Sequence, residues 1–275
     1  MTGESGDLQR EFHHVAKIIS THSFRGGTGK SNTTANLATL VARAGHRVGV
    51  IDTDIQSPGI HVVFGFDQSH AKWSLNDYLW KKCPIEAAAY DITEQSIGHV
   101  AAEDERPRLF LIPSSLNSGE IARILREGYD VGMLNDGIHE LIQRLRLDYL
   151  FIDTHPGVNE ETLLSIAISD ALVLILRPDN QDFQGTAVTV ELARRLEVPE
   201  LLVVVNKVPT GVDVALLKDQ VETAYAAEVV ALLPFNQEIA RLASSGLFTN
   251  RYPDHPFSVE LRKVAERILQ GPAKS

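Results

Sequence analysis

The feature that most constrains this chain is a glycine-rich turn set between a strand pattern and a helix pattern. Arg25-Gly26-Gly27-Thr28-Gly29-Lys30-Ser31 follows the apolar run Ile18-Ile19 and precedes Thr33-Thr34-Ala35-Asn36-Leu37-Ala38. Strand, glycine turn, Lys-Ser and helix form the context of a phosphate-binding loop. Glycines present no Cβ, so backbone N–H groups can crowd around an anion. The helix that follows adds unpaired N–H groups and the positive end of its dipole. In such a loop Lys30 reaches the β- and γ-phosphates, and the Ser31 hydroxyl holds Mg²⁺. The strict spacing G-x-x-x-x-G-K-[ST] is not met, because the first glycine position holds Phe24.

The rest of the chain alternates apolar runs with helical patterns. The runs are Lys17–Ser20, Arg47–Ile51, Leu109–Ile112, Tyr149–Ile152, Ala171–Leu176, Leu201–Val205 and Val229–Leu233. Most are apolar throughout, as strands buried on both faces are. The expected fold is therefore α/β, a doubly wound and mainly parallel sheet with helices on both faces. Ligands of such sheets sit at the carboxyl ends of the strands, where all the motifs fall. With 275 residues, the expectation is a flexible arm over 1–15 and one domain over 16–275. The stretch 68–108 is the least regular and reads as an excursion on that domain. No apolar run approaches the roughly 18 residues of a membrane span, and the N-terminus lacks a signal-peptide core.

Three further motifs follow strand runs. Asp52-Thr53-Asp54 leads into Ile55-Gln56-Ser57-Pro58-Gly59, with one carboxylate available for a Mg²⁺ shell and one for support. Asp153-Thr154-His155-Pro156-Gly157 places a carboxylate at a strand end beside the phosphate loop, the arrangement that binds Mg²⁺ directly or through water. A histidine there reads either as a donor near a γ-phosphate or as a tolerated loop residue. Asn206-Lys207-Val208-Pro209 closes another run, and an Asn amide can pair with an adenine edge.

Taken together, these motifs resemble the MinD/ParA family of deviant Walker A ATPases, over about Ala16 to Leu269. The family's loop reads K-G-G-x-G-K-[ST], and its leading lysine reaches the nucleotide of a partner subunit. Arg25 stands at that position and keeps the charge in a planar fork. The segment from Asp52 resembles switch I, D-x-D-x-x-x-P, which implies that Asp54 orients or activates the attacking water. The segment from Asp153 resembles switch II, with His155 where proline is usual. Asn206-Lys207 and Pro234-Phe235-Asn236 resemble the base-binding loops, and Ala240, Ala243 and Gly246 the pattern downstream of them. The implied nucleotide set is Arg25, Gly26, Gly27, Thr28, Gly29, Lys30, Ser31, Asn32, Asn206, Lys207, Pro234, Phe235 and Asn236. The implied metal set is Ser31, Asp54 and Asp153, and the implied catalytic set Arg25, Lys30 and Asp54.

The resemblance implies ATP and Mg²⁺ as ligands and a homodimer in the ATP state. It also implies slow hydrolysis stimulated by a partner protein, and a role in placing DNA, division machinery or other cargo. An ATP-dependent enzyme of the dethiobiotin-synthetase type is an alternative, as is a weakly hydrolysing scaffold suggested by Arg25, Asn32 and His155. The charge of −10 argues against whole-surface DNA affinity while leaving local basic pairs such as Arg194-Arg195. Cys83 is the only cysteine, which fits a reducing cytoplasm and disfavours the relatives that ligate metal through cysteines. The segment Ser258 to Leu269 reads as the last core helix rather than a membrane-surface helix, since its polar face mixes acids with bases.

Overall fold

A computed structural model describes residues 16–100, 106–242 and 244–271. The expected N-terminal arm, part of the 68–108 stretch and Ala243 lie outside the described residues. The strands are β1 (Lys17–His22), β2 (Arg47–Asp52), β3 (Tyr90–Asp91), β4 (Arg108–Ile112), β5 (Tyr149–Asp153), β6 (Ala171–Leu176), β7 (Glu200–Val208) and β8 (Glu228–Pro234). The helices between them are α1 (Lys30–Arg43), α2 (Ile60–Val63), α3 (Leu75–Leu79), α4 (Thr93–Ile97), α5 (Ser118–Glu127) and α6 (Val131–Leu145). They continue as α7 (Glu160–Ala167), α8 (Asn180–Arg195), α9 (Val214–Tyr225), α10 (Gln237–Leu242), α11 (Phe248–Arg251) and α12 (Pro256–Gln270).

Local chemistry sets the helix starts. Asn117, Asp130, Asn159, Asp179 and Asp213 each accept backbone N–H bonds at the start of α5, α6, α7, α8 and α9. Such a cap satisfies donors that the helix itself cannot. Helix α12 opens with Pro256 in its first turn, where a missing N–H costs nothing.

The strands form one eight-stranded sheet in the order β3-β4-β2-β5-β1-β6-β7-β8. All pairings are parallel except β3 with β4. The short edge strand β3 ties the irregular excursion into the same sheet through Tyr90 opposite Leu111. Successive residues of a strand point to opposite faces, and both faces are covered. Ile19 packs with Leu37 and Val41 of α1, Phe248 of α11 and Leu261, Val264 and Ile268 of α12. Ile18 faces the other side, with Leu134, Ile138 and Leu141 of α6. A third cluster joins Leu172 and Leu174 to Val190 of α8 and Val221 of α9. Each fully buried Leu or Ile contributes about 1.5–3 kcal/mol. Among the described residues no helix is long and apolar enough to cross a membrane.

Register sets the site. Thr21 of β1 lies beside Asp153 of β5, and Asp52 of β2 lies beside the same Asp153. The strands that carry the phosphate loop and the acidic motifs therefore end at one level.

Candidate active site

The loop from β1 to α1 turns through two left-handed glycines, Gly27 (φ 75°) and Gly29 (φ 96°). A Cβ on Gly29 would stand 2.5 Å from Asn206 Nδ2. No side chain caps α1 and no acid occupies its first turn, which leaves its N-terminal N–H groups to an anion. The loop is braced from behind by β7. Asn206 Nδ2 donates to Thr28 O at 2.7 Å, and Lys207 Nζ donates to Gly27 O at 2.7 Å. Asn206 Oδ1 accepts from Lys207 N at 2.8 Å. The amide expected to read an adenine edge is thus engaged within the chain, at the loop's own backbone. Phe24, at the position a strict loop gives to glycine, lies against α8, where a Cβ on Gly185 would stand 2.0 Å from its ring.

Two carboxylates approach one ammonium, and a third supports one of them. Lys30 Nζ lies 2.8 Å from Asp153 Oδ1 and 4.0 Å from Asp54 Oδ2. Thr34 Oγ1 also donates to Asp153 Oδ1, at 3.1 Å. Asp52 accepts Asp54 N at 3.0 Å and Gly59 N at 3.3 Å, so it holds the loop that carries Asp54. Burial first, then the Asp153 charge, pushes the Asp52 carboxyl well above the usual carboxylate range. Asp54 Oδ1 accepts Ser57 N at 3.2 Å and His155 Nδ1 at 2.7 Å. Asp153 Oδ2 is buried and has no partner among the described residues. An excess of carboxylates with an unpaired oxygen suits a hard cation. No group of three or more His, Cys, Asp or Glu ligands forms among the described residues. Mg²⁺ takes one or two carboxylates and completes its shell with water and phosphate oxygens.

Two cavities open here. One of about 360 Å³ is lined by the loop from Gly26 to Asn32, with Asp54, Ser57 and Pro156. The other, about 380 Å³, is lined by Asn206, Lys207, Pro234, Phe235 and Asn236. Gly27, Gly29 and Asn32 line both, so the two are contiguous. The Asn236 amide lies 3.2 Å from His255 Nε2, and Phe235 is exposed. Arg25 points away from both cavities, with its guanidinium 3.5 Å from Asp182 and 3.8 Å from Asp179 at the start of α8.

Sequence reasoning passed over His22, the last residue of β1. It is fully buried, and its Nδ1 lies 2.8 Å from Thr154 Oγ1. A histidine closing an apolar strand was the available signal. Asp182 was also passed over, because its ion pairs with Arg25 and Arg177 depend on the folded chain.

Among solved structures, a chain of the MinC:MinD cell division protein complex of Aquifex aeolicus aligns with 94% of this chain and 98% of its own at a TM-score of 0.75, with 18% identity. The septum site-determining protein MinD of Pyrococcus horikoshii, complexed with Mg-ADP, gives a TM-score of 0.74 at 19% identity, over 92% and 96% of the two chains. At those identities the likeness concerns the fold. An iron-sulfur cluster carrier protein of Pseudomonas fragi is 30% identical over 270 residues, covering 94% of this chain and 87% of the relative. The family model described as ParA, NUBPL iron-transfer P-loop NTPase, matches residues 14–269. The chain belongs to this ParA family of P-loop NTPases.

Proposed function

We propose that the protein is an ATP hydrolase that uses ATP binding to close a homodimer and hydrolysis to open it. The observation that carries this reading is the convergence of three groups beneath the uncapped start of α1: Lys30 and Asp54 line one cavity, and the buried Asp153 holds Lys30 from behind. The phosphates of ATP sit in that cavity against the N–H groups of Gly26 to Ser31, and the base extends into the neighbouring one beside Phe235 and Asn236. Lys30 leaves Asp153 for the β- and γ-phosphates. Ser31, Asp153 and Asp54 would hold Mg²⁺, directly or through water, and the ion would supply charge neutralisation at the phosphate oxygens. Asp54 Oδ2 accepts a hydrogen bond from the water whose oxygen attacks phosphorus as the bond to ADP breaks. Catalysis of this kind is positioning and charge stabilisation. Arg25 leaves Asp179 and Asp182 to meet the nucleotide across the dimer.

The family description and the Pseudomonas fragi relative point to iron–sulfur clusters as cargo. Cluster ligation draws on several thiolates, and this chain has Cys83 alone. The chain's own residues therefore do not fit a cluster, and no step is drawn through one. A partner protein that supplies the cargo-binding surface and stimulates hydrolysis fits better.

The test is solution mass by light scattering, with and without Mg·ATP. Asp54→Ala is expected to form a stable dimer only with ATP, wild type a transient one, and Arg25→Ala none. Bound ATP with no change of mass in any of the three proteins defeats the switch reading. A small-substrate enzyme or a static nucleotide-binding scaffold then takes its place.

A further inference from the structure

The loop after β2 and the loop after β5 are joined by one side-chain hydrogen bond, His155 to Asp54 at 2.7 Å. We propose that His155 is a positioning residue for hydrolysis, which fixes the rotamer of Asp54 so that Oδ2 faces the phosphate cavity. This rests on the ATPase reading given above.

The geometry is asymmetric. Oδ1 of Asp54 takes both the His155 ring and Ser57 N, while Oδ2 has Lys30 Nζ at 4.0 Å. An ionised carboxylate can only accept, so the ring carries its hydrogen on Nδ1. The backbone that carries the ring is itself held. Thr162 Oγ1 donates to His155 O at 3.3 Å, and Thr154 N donates to Thr21 O at 3.3 Å. Asn159 starts α7 by accepting Thr162 N at 2.8 Å. Switch II is thus tied to β1 and α7 on either side of His155, whereas Asp54 lies beyond the end of β2. Without the ring, Oδ1 keeps, among the described residues, only the 3.2 Å bond from the backbone Ser57 N. The related pattern has proline at this position, and proline carries no side-chain donor. The link is therefore a feature of this chain: a shift of switch II moves the carboxylate that addresses the attacking water.

The test separates kcat from KM at a fixed pH with Mg·ATP. His155→Ala is expected to lower kcat roughly ten-fold or more, the usual cost of losing an orienting partner, with KM and the affinity for ATP unchanged. His155→Asn, whose amide nitrogen stands near the place of Nδ1, is expected to recover most of the rate. Long-range ¹H–¹⁵N spectra give a second readout that needs no turnover. Wild type should show the Nδ1–H tautomer at His155, and Asp54→Ala should lose it. A wild-type rate in His155→Ala, or an Nε2–H tautomer in wild type, overturns the inference alone. A wild type that binds ATP without hydrolysing it overturns the ATPase reading and the positioning role together. An Nδ1–H ring in that protein then marks the link as purely structural.

Discussion

His22 ends an apolar strand with a polar ring and shows how the site stores electrostatic tension. Thr154 gives its only hydroxyl hydrogen to Thr21 O at 3.0 Å, so it must accept from His22 Nδ1. The ring therefore carries a hydrogen on Nδ1, and Nε2 is buried without a partner among the described residues. Burial, then the charges of Lys30 and His155, push the His22 pKa down from 6.5 to about 3. Between those values the unfolded chain binds a proton that the folded chain refuses. Stability from this residue is complete above the unfolded pKa and falls as pH drops through the window. The slope is about 1.4 kcal/mol per pH unit for one group. His22→Asn retains a donor for Thr154 and cannot titrate. Denaturant unfolding at pH 7 and pH 5 should show wild type losing about 2 kcal/mol more than the variant. Equal losses would mean that the ring accepts its proton while folded.

The seating of the phosphate loop is a matter of β1, α1, α8 and β7 together. Phe24 resembles an error in the motif until α8 is in place. Gly185 then leaves room for the ring, since a Cβ there would stand 2.0 Å from it. In an open helix Gly→Ala gains about 1 kcal/mol. Here the ring must move, and overpacking of this kind costs roughly 1–3 kcal/mol. Gly185→Ala is expected to destabilise the protein, while the same change in a Phe24→Ala background stabilises it. A double-mutant cycle by chemical denaturation with no coupling between the two sites would show that the ring swings out freely. This pairing marks the limit of what the sequence reveals. The buried strands were legible because apolar runs record burial directly, and the motifs because each is a few consecutive residues. Strand β3 was not, since two residues carry no periodicity. Nor were the brace from Asn206 to Thr28, the ion pairs of Arg25 with α8, or the bond from His155 to Asp54. Those join residues far apart in the chain, and only the strand order brings them together.

On the scale of the whole molecule, the family description and the Pseudomonas fragi relative name iron transfer, while this chain's thiol inventory points away from it. A dimer brings two thiolates, and the common clusters take four. Cys83 is also poorly suited to ligation. It is partly buried against the core on the α6 face of the sheet. Burial, then the charges of Asp77 and Glu86, push its thiol pKa up, whereas ligation requires the thiolate. The proposed dimer would offer instead a nucleotide-dependent change in which surfaces meet, with Arg25 moving off Asp182 and switch II pulling on Asp54. Cargo then belongs to a partner that recognises the closed state. Anaerobic reconstitution with ferrous iron and sulfide should accordingly give no stable cluster absorption, and Cys83→Ser should match wild type. A chromophore at one per dimer that disappears in Cys83→Ser would reverse this conclusion. It would place two Cys83 thiolates on a shared cluster with the remaining ligands supplied from outside the chain.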